Sequence, residues 1–408
     1  MKTFIGFDEA LELTMGNVST GEIEVLPLAQ LTGRIVAEDI YSRVDSPSST
    51  SSRKDGYAVI SADLANASAD NPVELKVVGK LAAGDDANLQ IATGLAVRVT
   101  TGAPIPEGAD AVLSEEFCES SSDAISAQHI AEKGRNVLRR GTDIRQGERV
   151  AAKDEKLSPA LIGLVASSGL DRASVYRLPK VAVIASGNEV VAPGKPLGDG
   201  KLYASNMVEI CSWLTSYGLS YSAELVDDDE AQIQSAITSR LPQADVFITS
   251  GGAWGSEHDL MLDVVEKLGW QGIFRRVRMG PGKPVGFGIL EQKPFFILPG
   301  GPPSNEMAFL QLALPAIMKM KGEAAFSFPV VRAQLTETVR GHKDWTQFIH
   351  ARLEEDKHQL IVKPAKLKSR LISMARKDAL IIIPEGWEEL IAGEIIDIQL
   401  LNADFAHR

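Results

Sequence analysis

The chain has 408 residues, of which 44% are hydrophobic and 24% charged, and its formal net charge is -12. This length predicts roughly two to four domains, because one domain usually takes about 150 residues. An acidic chain repels a phosphate backbone, which argues against general nucleic-acid binding but leaves room for a small anionic ligand held by local donors.

The sequence predicts a cytoplasmic protein without a membrane segment. The two cysteines, Cys118 and Cys211, form no CxxC pair and fit idle or buried thiols in a reducing compartment. Residues 1–11 lack the basic stretch and apolar core of a signal peptide. No apolar run reaches the ~18 residues that a membrane span needs.

The first 178 residues change from helical to β-rich patterning and back. Residues 1–30 carry apolar side chains near helical spacing. From Ala58 to about Asp143, short apolar runs are separated by Gly, Asn, Asp and Pro, which predicts a small β-rich unit. Ser158 is suited to cap a helix with Pro159 at its first position. We therefore predict a discontinuous helical and extended domain, residues 1–45 plus 144–178, around an inserted β-rich domain of residues 46–143.

Residues 179–327 alternate apolar strands with amphipathic helices. The strands fall at residues 181–185, 220–226, 245–249 and 295–298, and the helices at residues 206–217, 229–241 and 260–268. This alternation predicts an α/β domain with a parallel sheet covered on both faces, whose ligand site lies beyond the carboxyl ends of the strands. Residues 328–408 return to short β runs split by turns, typical of a small barrel or sandwich, and we predict a small C-terminal β-barrel. The predicted fold class is multidomain α/β and β.

Three loops in the α/β region carry the chemistry. Residues 249–252, Thr-Ser-Gly-Gly, allow close backbone approach to a ligand, although such turns are common. Residues 280–284, Gly-Pro-Gly-Lys-Pro, fix an unusual backbone around Lys283. Residues 299–304, Pro-Gly-Gly-Pro-Pro-Ser, fit either a rigid turn or an anion site in which Ser304 caps a helix from Asn305.

The order of these motifs resembles the molybdopterin molybdenumtransferase family. The motifs are Asp55-Gly-Tyr-Ala-Val, TTGAPIPEGADAV from Thr100, GRNVLRRGTDI from Gly134, Ser186-Gly-Asn-Glu, Asp228-Asp229, Ser250-Gly-Gly with Asp259, PGKP from Pro281 and PGGPPS from Pro299. The resemblance implies an elongated homodimer of four-domain subunits. It also implies a reaction in which molybdate and adenylylated molybdopterin give molybdenum cofactor and AMP, with Mg²⁺. Expected protein partners are the molybdopterin adenylyltransferase and molybdoenzyme chaperones.

The resemblance also assigns site residues. The catalytic positions are Asp55, Thr101, Glu189, Asp228 and Asp259, with Asp228 and Asp259 as metal ligands and with Asp55 and Thr101 contributed across the dimer cleft. The positions that bind the substrate or the oxyanion are Ser250, Gly251, Gly252, Arg276, Lys283, Pro284, Ser304 and His350. Carboxylates suit Mg²⁺, and cations suit a tetrahedral dianion. Residues 227–229 also fit a plain acidic helix cap.

The chain departs from the family pattern around the predicted oxyanion pocket. Gly280 stands where a Lys is usual, His350 where an Arg is usual and Gly301 where an Asn is usual, while Arg276 keeps the charge of an earlier Lys. The runs 52–54, 253–256 and 369–373 also differ. Arg53, Lys54, Arg370 or Arg376 are candidates to restore the lost charge. Two alternatives to the transferase therefore stay open: a carrier of molybdopterin or cofactor, which includes a protein for another oxyanion such as tungstate, and a docking scaffold.

Overall fold

A computed structural model describes residues 1–251, 260–356, 359–365 and 369–401. The chain divides into two units, one of residues Glu24–Val175 and one that joins Met1–Ile23 to Tyr176–Arg408. Among the described residues, no helix is long and apolar enough to cross a membrane.

The amino-terminal segment of the second unit is a strand followed by a helix, β1 (Lys2–Gly6) and α1 (Phe7–Gly16). The prediction of helix over residues 1–30 is therefore right only for α1. The apolar residues of β1 and α1 pack in the same core as the α/β sheet, so tertiary pairing overrides the local helical spacing in β1.

The unit of residues Glu24–Val175 is rich in short strands. Its elements are β2 (Ile23–Pro27), β3 (Ile40–Tyr41), β4 (Ser51–Ser52), β5 (Gly56–Val59), β6 (Val73–Leu81), β7 (Leu95–Val99), β8 (Ala111–Ser114), β9 (Cys118–Ser120), β10 (Ala124–Ala127), β11 (Val137–Leu138), β12 (Arg149–Ala151), α2 (Pro159–Ser167) and β13 (Arg172–Tyr176). A sheet of order β8-β5-β7-β6-β10-β9 forms its centre. Ser158 caps α2, as predicted, by accepting the Leu161 N–H at 3.2 Å.

The α/β part of the other unit has the alternation that the sequence predicts. Its elements are β14 (Val181–Ser186), β15 (Val190–Val191), β16 (Leu202–Tyr203), α3 (Ser205–Ser216), β17 (Tyr221–Val226), α4 (Glu230–Thr238), β18 (Val246–Ser250), α5 (Leu260–Lys267), β19 (Gln271–Gly280), β20 (Gly286–Leu290), β21 (Lys293–Leu298), α6 (Pro302–Ala308) and α7 (Leu314–Met320). A π-helical segment, Phe309–Ala313, joins α6 to α7.

A parallel sheet of order β17-β14-β18-β21 forms the core of this part, and β20 and β19 extend it antiparallel. Side chains alternate across the sheet. Val181 and Val183 therefore pack with α3, α6 and α7, while Ala182 and Ile184 pack with α4 and α5. Each fully buried aliphatic side chain contributes roughly 1.5–3 kcal/mol. This burial on both faces explains why the strands are continuous apolar runs.

The carboxyl-terminal part is a small closed barrel. Its elements are β22 (Val330–Leu335), β23 (Val339–Arg340), β24 (Thr346–Asp356), β25 (Gln359–Pro364), α8 (Arg370–Ala375), β26 (Ala379–Ile383), β27 (Glu389–Leu390) and β28 (Ile395–Leu400). The ring β24-β25-β22-β28-β26 closes because β26 also pairs with β24. The end of β19 pairs with the start of β24, so the barrel continues the α/β sheet, and the predicted fold class is confirmed.

Candidate functional site

The loops after the parallel strands meet at one edge of the sheet. The Asn188 backbone N–H donates to Asp228 Oδ2 at 3.3 Å, and the Asp228 N–H donates to Asn188 Oδ1 at 3.1 Å. These two bonds join the loops that follow β14 and β17. Asp229 instead caps α4 and accepts the Gln232 N–H at 2.9 Å. Asp229 is therefore the helix cap, while the neighbouring Asp228 faces the loop of Asn188 and Glu189.

Gly251 allows the loop after β18 to pass close to β14. Its φ is +113°, and a Cβ built on it would lie 1.9 Å from the carbonyl oxygen of Ser186. A larger residue cannot occupy this position without moving backbone, so the glycine is a structural requirement of the edge. Gly252, the next predicted site residue, lies outside the described residues.

A cavity of about 500 Å³ opens at this edge, and we call it the strand-end cavity. Its polar lining includes Ser186, Glu189, Asn206, Ser250, Gly251, Gly300 and Arg370, and its apolar lining includes Val190, Leu202, Tyr203, Met207 and Leu371. Two amides hold its loops. Asn206 Nδ2 donates to the Gly300 carbonyl at 2.8 Å, and Asn305 Nδ2 donates to Ser250 Oγ at 3.0 Å. The predicted residues Glu189, Ser250 and Gly251 thus share one cavity.

The prediction that Ser304 caps a helix is wrong. Helix α6 begins at Pro302, and the residue at the cap position is Gly301, which makes no side-chain cap bond. Two prolines at the start of the helix explain the difference, because proline fits the first turn, where the backbone N–H has no helical partner. Ser304 is therefore the third residue of the helix.

The predicted cation Lys283 lies against aromatic rings. Its ammonium is 5.4 Å from the ring centroid of Phe4 and 5.4 Å from that of Trp345, which are cation–π distances. Arg276 is exposed on β19 with a φ of +61°. Pro284 is half-buried beside Lys283. The roles of Arg276, Lys283 and Pro284 toward the oxyanion stay predictions.

A second cavity, of about 800 Å³, lies where the α/β part meets the barrel, and we call it the barrel-side cavity. Gly280, Pro281, Pro303, Arg340, His350, Arg370 and Ser373 are among its lining residues. The imidazole of His350 lies with Nε2 3.2 Å from Glu306 Oε2. The predicted oxyanion residue His350 therefore lines the cavity and also contacts a buried acid.

Glu306 is the centre of a buried charge cluster, which Glu209, Glu306, His350 and Lys377 form. His350 is the only one of these four residues that the sequence predicts as a site residue. The Glu306 side chain is fully buried, and the Lys377 ammonium contacts its Oε1. Burial alone would raise the pKa of Glu306, but His350 and Lys377 lower it below its usual range. Burial and the Glu306 charge raise the pKa of neighbouring Glu209 to about 8. A lone glutamate inside the apolar run of residues 305–318 was the available signal.

Asp55 and Thr101, the positions assigned to the dimer cleft, are joined to each other in the unit of residues Glu24–Val175. Asp55 Oδ1 accepts the Thr101 backbone N–H at 2.6 Å and its hydroxyl at 3.1 Å. The bond from the Thr101 N–H lowers the pKa of the Asp55 carboxyl below its usual range. The pair is exposed, and the Asp55 carboxylate stays ionised at neutral pH. Arg53 and Lys54 beside it are exposed as well.

Oxygen donors at the strand ends have the chemistry that Mg²⁺ prefers. They are the carboxylates of Glu189 and Asp228 and the side-chain carbonyl of Asn188. The other predicted ligand, Asp259, lies outside the described residues. Within the described part of the chain, no three His, Cys, Asp or Glu side chains cluster as metal ligands. The donor set therefore fits the ion in kind, while its completeness stays a prediction.

Three family models match consecutive parts of the chain. They are described as "MoeA N-terminal region (domain I and II)" over residues 5–169, "Probable molybdopterin binding domain" over residues 182–319 and "MoeA C-terminal region (domain IV)" over residues 332–401. The strand-end cavity lies in the second match except for Arg370 and Leu371, which fall in the third.

Characterised proteins resemble the chain over most of its length. It is 36% identical to the molybdopterin molybdenumtransferase of Haemophilus influenzae over 76% of this chain and 75% of the relative. It is 30% identical to molybdopterin molybdenumtransferase 2 of Mycobacterium tuberculosis over 91% and 94%. Two structures of a molybdopterin biosynthesis MoeA protein from Pyrococcus horikoshii match with TM-scores of 0.86 and 0.80 and identities of 32% and 27%, covering 98% and 97% of this chain and 100% of theirs.

Proposed function

This chain belongs to the molybdopterin molybdenumtransferase (MoeA) family, and from that premise we propose that it inserts molybdate into adenylylated molybdopterin and releases AMP. It is a transferase of molybdenum cofactor biosynthesis. The strand-end cavity is the observation that carries the proposal. It combines an apolar wall, polar loops and a carboxylate at the carboxyl edge of a parallel sheet, which is where such sheets bind ligands.

The lining of the strand-end cavity suits a flat heterocycle with a phosphate. Leu202, Tyr203 and Met207 offer apolar surface to a ring, while the Ser250 hydroxyl and the Gly251 backbone offer donors. The loops are held by the amides of Asn206 and Asn305, so the cavity keeps its shape without a ligand. Because the cavity is already formed, binding can hold the reacting group of the substrate in a fixed orientation.

We assign Asp228 and Asp259 as Mg²⁺ ligands because the family resemblance points to them, and Glu189 lies at the same described edge as Asp228. When bound there, Mg²⁺ would neutralise charge on the pyrophosphate oxygens of the adenylylated substrate. Asp228 is oriented by its bonds to Asn188, and these bonds leave Oδ1 of Asp228 for a ligand. By holding the ion, these carboxylates would fix the nucleotide end of the substrate and so orient the pterin toward the oxyanion.

The assembly and location are also proposals that rest on family membership. We infer a cytoplasmic homodimer in which Asp55 and Thr101 of one subunit serve the site of the other. The fixed geometry of this exposed pair supports the inference, because the two bonds from Thr101 hold an ionised carboxylate in place at the surface. Transient contacts with the molybdopterin adenylyltransferase and with molybdoenzyme chaperones would deliver substrate and receive product.

The decisive test is metal insertion by the full-length protein supplied with adenylylated molybdopterin, Mg²⁺ and molybdate or tungstate. We expect AMP release that depends on the oxyanion, together with active cofactor. Asp228→Asn should lower the rate by at least about tenfold, since it removes a charge that acts on the substrate. Asp227→Asn, the adjacent exposed acid, is the matched control and should retain the rate. Tight pterin binding without AMP release would refute the proposal and identify a carrier.

A further inference from the structure

The side chain of Arg370 lies at the junction of the two cavities. It is the one residue that lines both the strand-end cavity and the barrel-side cavity within the described part of the chain. Ser250 and Gly251 line the strand-end cavity with it, and Gly280 and His350 line the barrel-side cavity with it. A group that moves between the nucleotide end and the barrel end of the site would therefore pass Arg370.

Other basic groups near the two cavities already have partners. Arg340 Nε lies 3.2 Å from Glu389 Oε2, and His350 and Lys377 both contact the buried Glu306. The Lys283 ammonium lies 5.4 Å from the ring centroids of both Phe4 and Trp345. Each of these basic groups therefore already interacts with another side chain of the protein.

Arg370 differs from these groups in its surroundings. Its side chain is exposed, and no ion pair or hydrogen bond joins it to another residue of the described part of the chain. It is also the only Arg or Lys among the described residues that line the strand-end cavity. A guanidinium presents five donors in a planar fork, which suits the oxygens of a tetrahedral anion.

The position of Arg370 is set by the helix that carries it. Ser369 caps α8 by accepting the Ile372 N–H at 3.3 Å, and the Ser373 hydroxyl donates to the Ser369 carbonyl at 3.0 Å. Beyond the helix, Lys377 contacts Glu306 on α6 and donates to the Met374 carbonyl at 2.8 Å. The buried charge cluster thus fixes α8 against α6 and keeps Arg370 at the mouth shared by the two cavities.

We propose that Arg370 is the contact that determines affinity for the inorganic oxyanion, which is molybdate if the proposed function holds. This inference rests on that function for the identity of the anion. Two observations support it. The guanidinium of Arg370 borders both cavities, and no acidic side chain among the described residues pairs with it. The alternative source of the same chemistry is the phosphate of the pterin nucleotide, and the experiment separates the two.

The test measures equilibrium binding of molybdate, and separately of adenylylated molybdopterin, to the full-length protein by calorimetry. Arg370→Gln should raise the Kd for molybdate roughly 10- to 100-fold and leave the Kd for the pterin nucleotide within about twofold. Arg370→Lys keeps the charge without the fork and should fall between wild type and Arg370→Gln. Arg352→Gln removes the same charge from an exposed position on β24 that lines neither cavity, and it is the matched control, with unchanged affinities expected.

Each outcome decides the inference. Unchanged molybdate affinity in Arg370→Gln, an equal loss in Arg352→Gln, or no molybdate binding by wild type would overturn it. Weaker binding of the nucleotide alone, or of both ligands equally, would assign Arg370 to the phosphate and likewise overturn it. If molybdate binding depends on Arg370 but wild type releases no AMP, the proposed function fails and this inference stands. If wild type releases AMP normally and Arg370→Gln leaves the KM for molybdate unchanged, the proposed function stands and this inference fails.

Discussion

Replacing Glu209 by Gln tests the buried charge cluster around Glu306 through the pH dependence of stability. Burial, followed by the Glu306 charge, raises the pKa of Glu209 from 4.5 to about 8. The folded protein therefore keeps a proton that the unfolded chain releases. Because the folded state binds more protons between these two values, the free energy of unfolding falls as pH rises from about 4.5 to 8 and is flat above. Gln at position 209 keeps an N–H donor toward Glu306 at every pH, because its amide does not titrate. The variant therefore does not lose unfolding free energy as the pH rises.

The magnitude follows from the width of that pH interval. At 1.36 kcal/mol per pH unit the upper bound is about 5 kcal/mol, and solvent access to this half-buried side chain reduces it to about 2 kcal/mol. Urea denaturation followed by tryptophan fluorescence at pH 5, 6.5 and 8.5 would measure it. Glu209→Gln should match wild type at pH 5 and exceed it by about 2 kcal/mol at pH 8.5.

The control for this experiment is Glu12→Gln on the exposed face of α1. It should stay within about 0.5 kcal/mol of wild type at every pH, as expected for a surface position. An advantage of Glu209→Gln that is equal at pH 5 and pH 8.5 would refute the reasoning, as would a loss of stability at pH 8.5.

Three further substitutions test the fold and the strand-end cavity. Ser158→Ala removes the cap of α2 and should cost about 1 kcal/mol in urea denaturation. Asp245→Asn breaks the two bonds from Arg177, at 2.8 and 2.9 Å, that lower the pKa of Asp245 against the effect of burial. It should cost about 1–2 kcal/mol at pH 7 and progressively less as the pH falls below about 4, because stability from a lowered carboxyl pKa is lost as that group protonates. Gly251→Ala should abolish pterin binding measured by calorimetry, whereas Gly301→Ala, with open space at its Cβ, should retain it.

Several features of this protein are determined by local sequence. The apolar runs of β14, β18 and β21 alternate with amphipathic α3, α4 and α5, and that period alone predicts a parallel sheet covered on both faces. The cap at Ser158 is equally local, because the bond spans three residues. The glycines and acids that follow the strands also predict where the strand-end cavity lies, because the carboxyl ends of parallel strands meet at one edge of the sheet.

Other features depend on contacts between distant residues, and only the tertiary structure decides them. Strand β19 is ten residues long and carries four charged or amide side chains, so its local pattern gives a weak strand signal; pairing with β1, β20 and β24 forms it. Glu306 and Lys377 are 71 residues apart in the chain, and their contact holds α8 against α6, where Arg370 lines both cavities. The same buried Glu306 is the acid that His350 contacts. A charge pattern specifies which groups are available, but burial and packing determine which of them pair and which remain for a ligand.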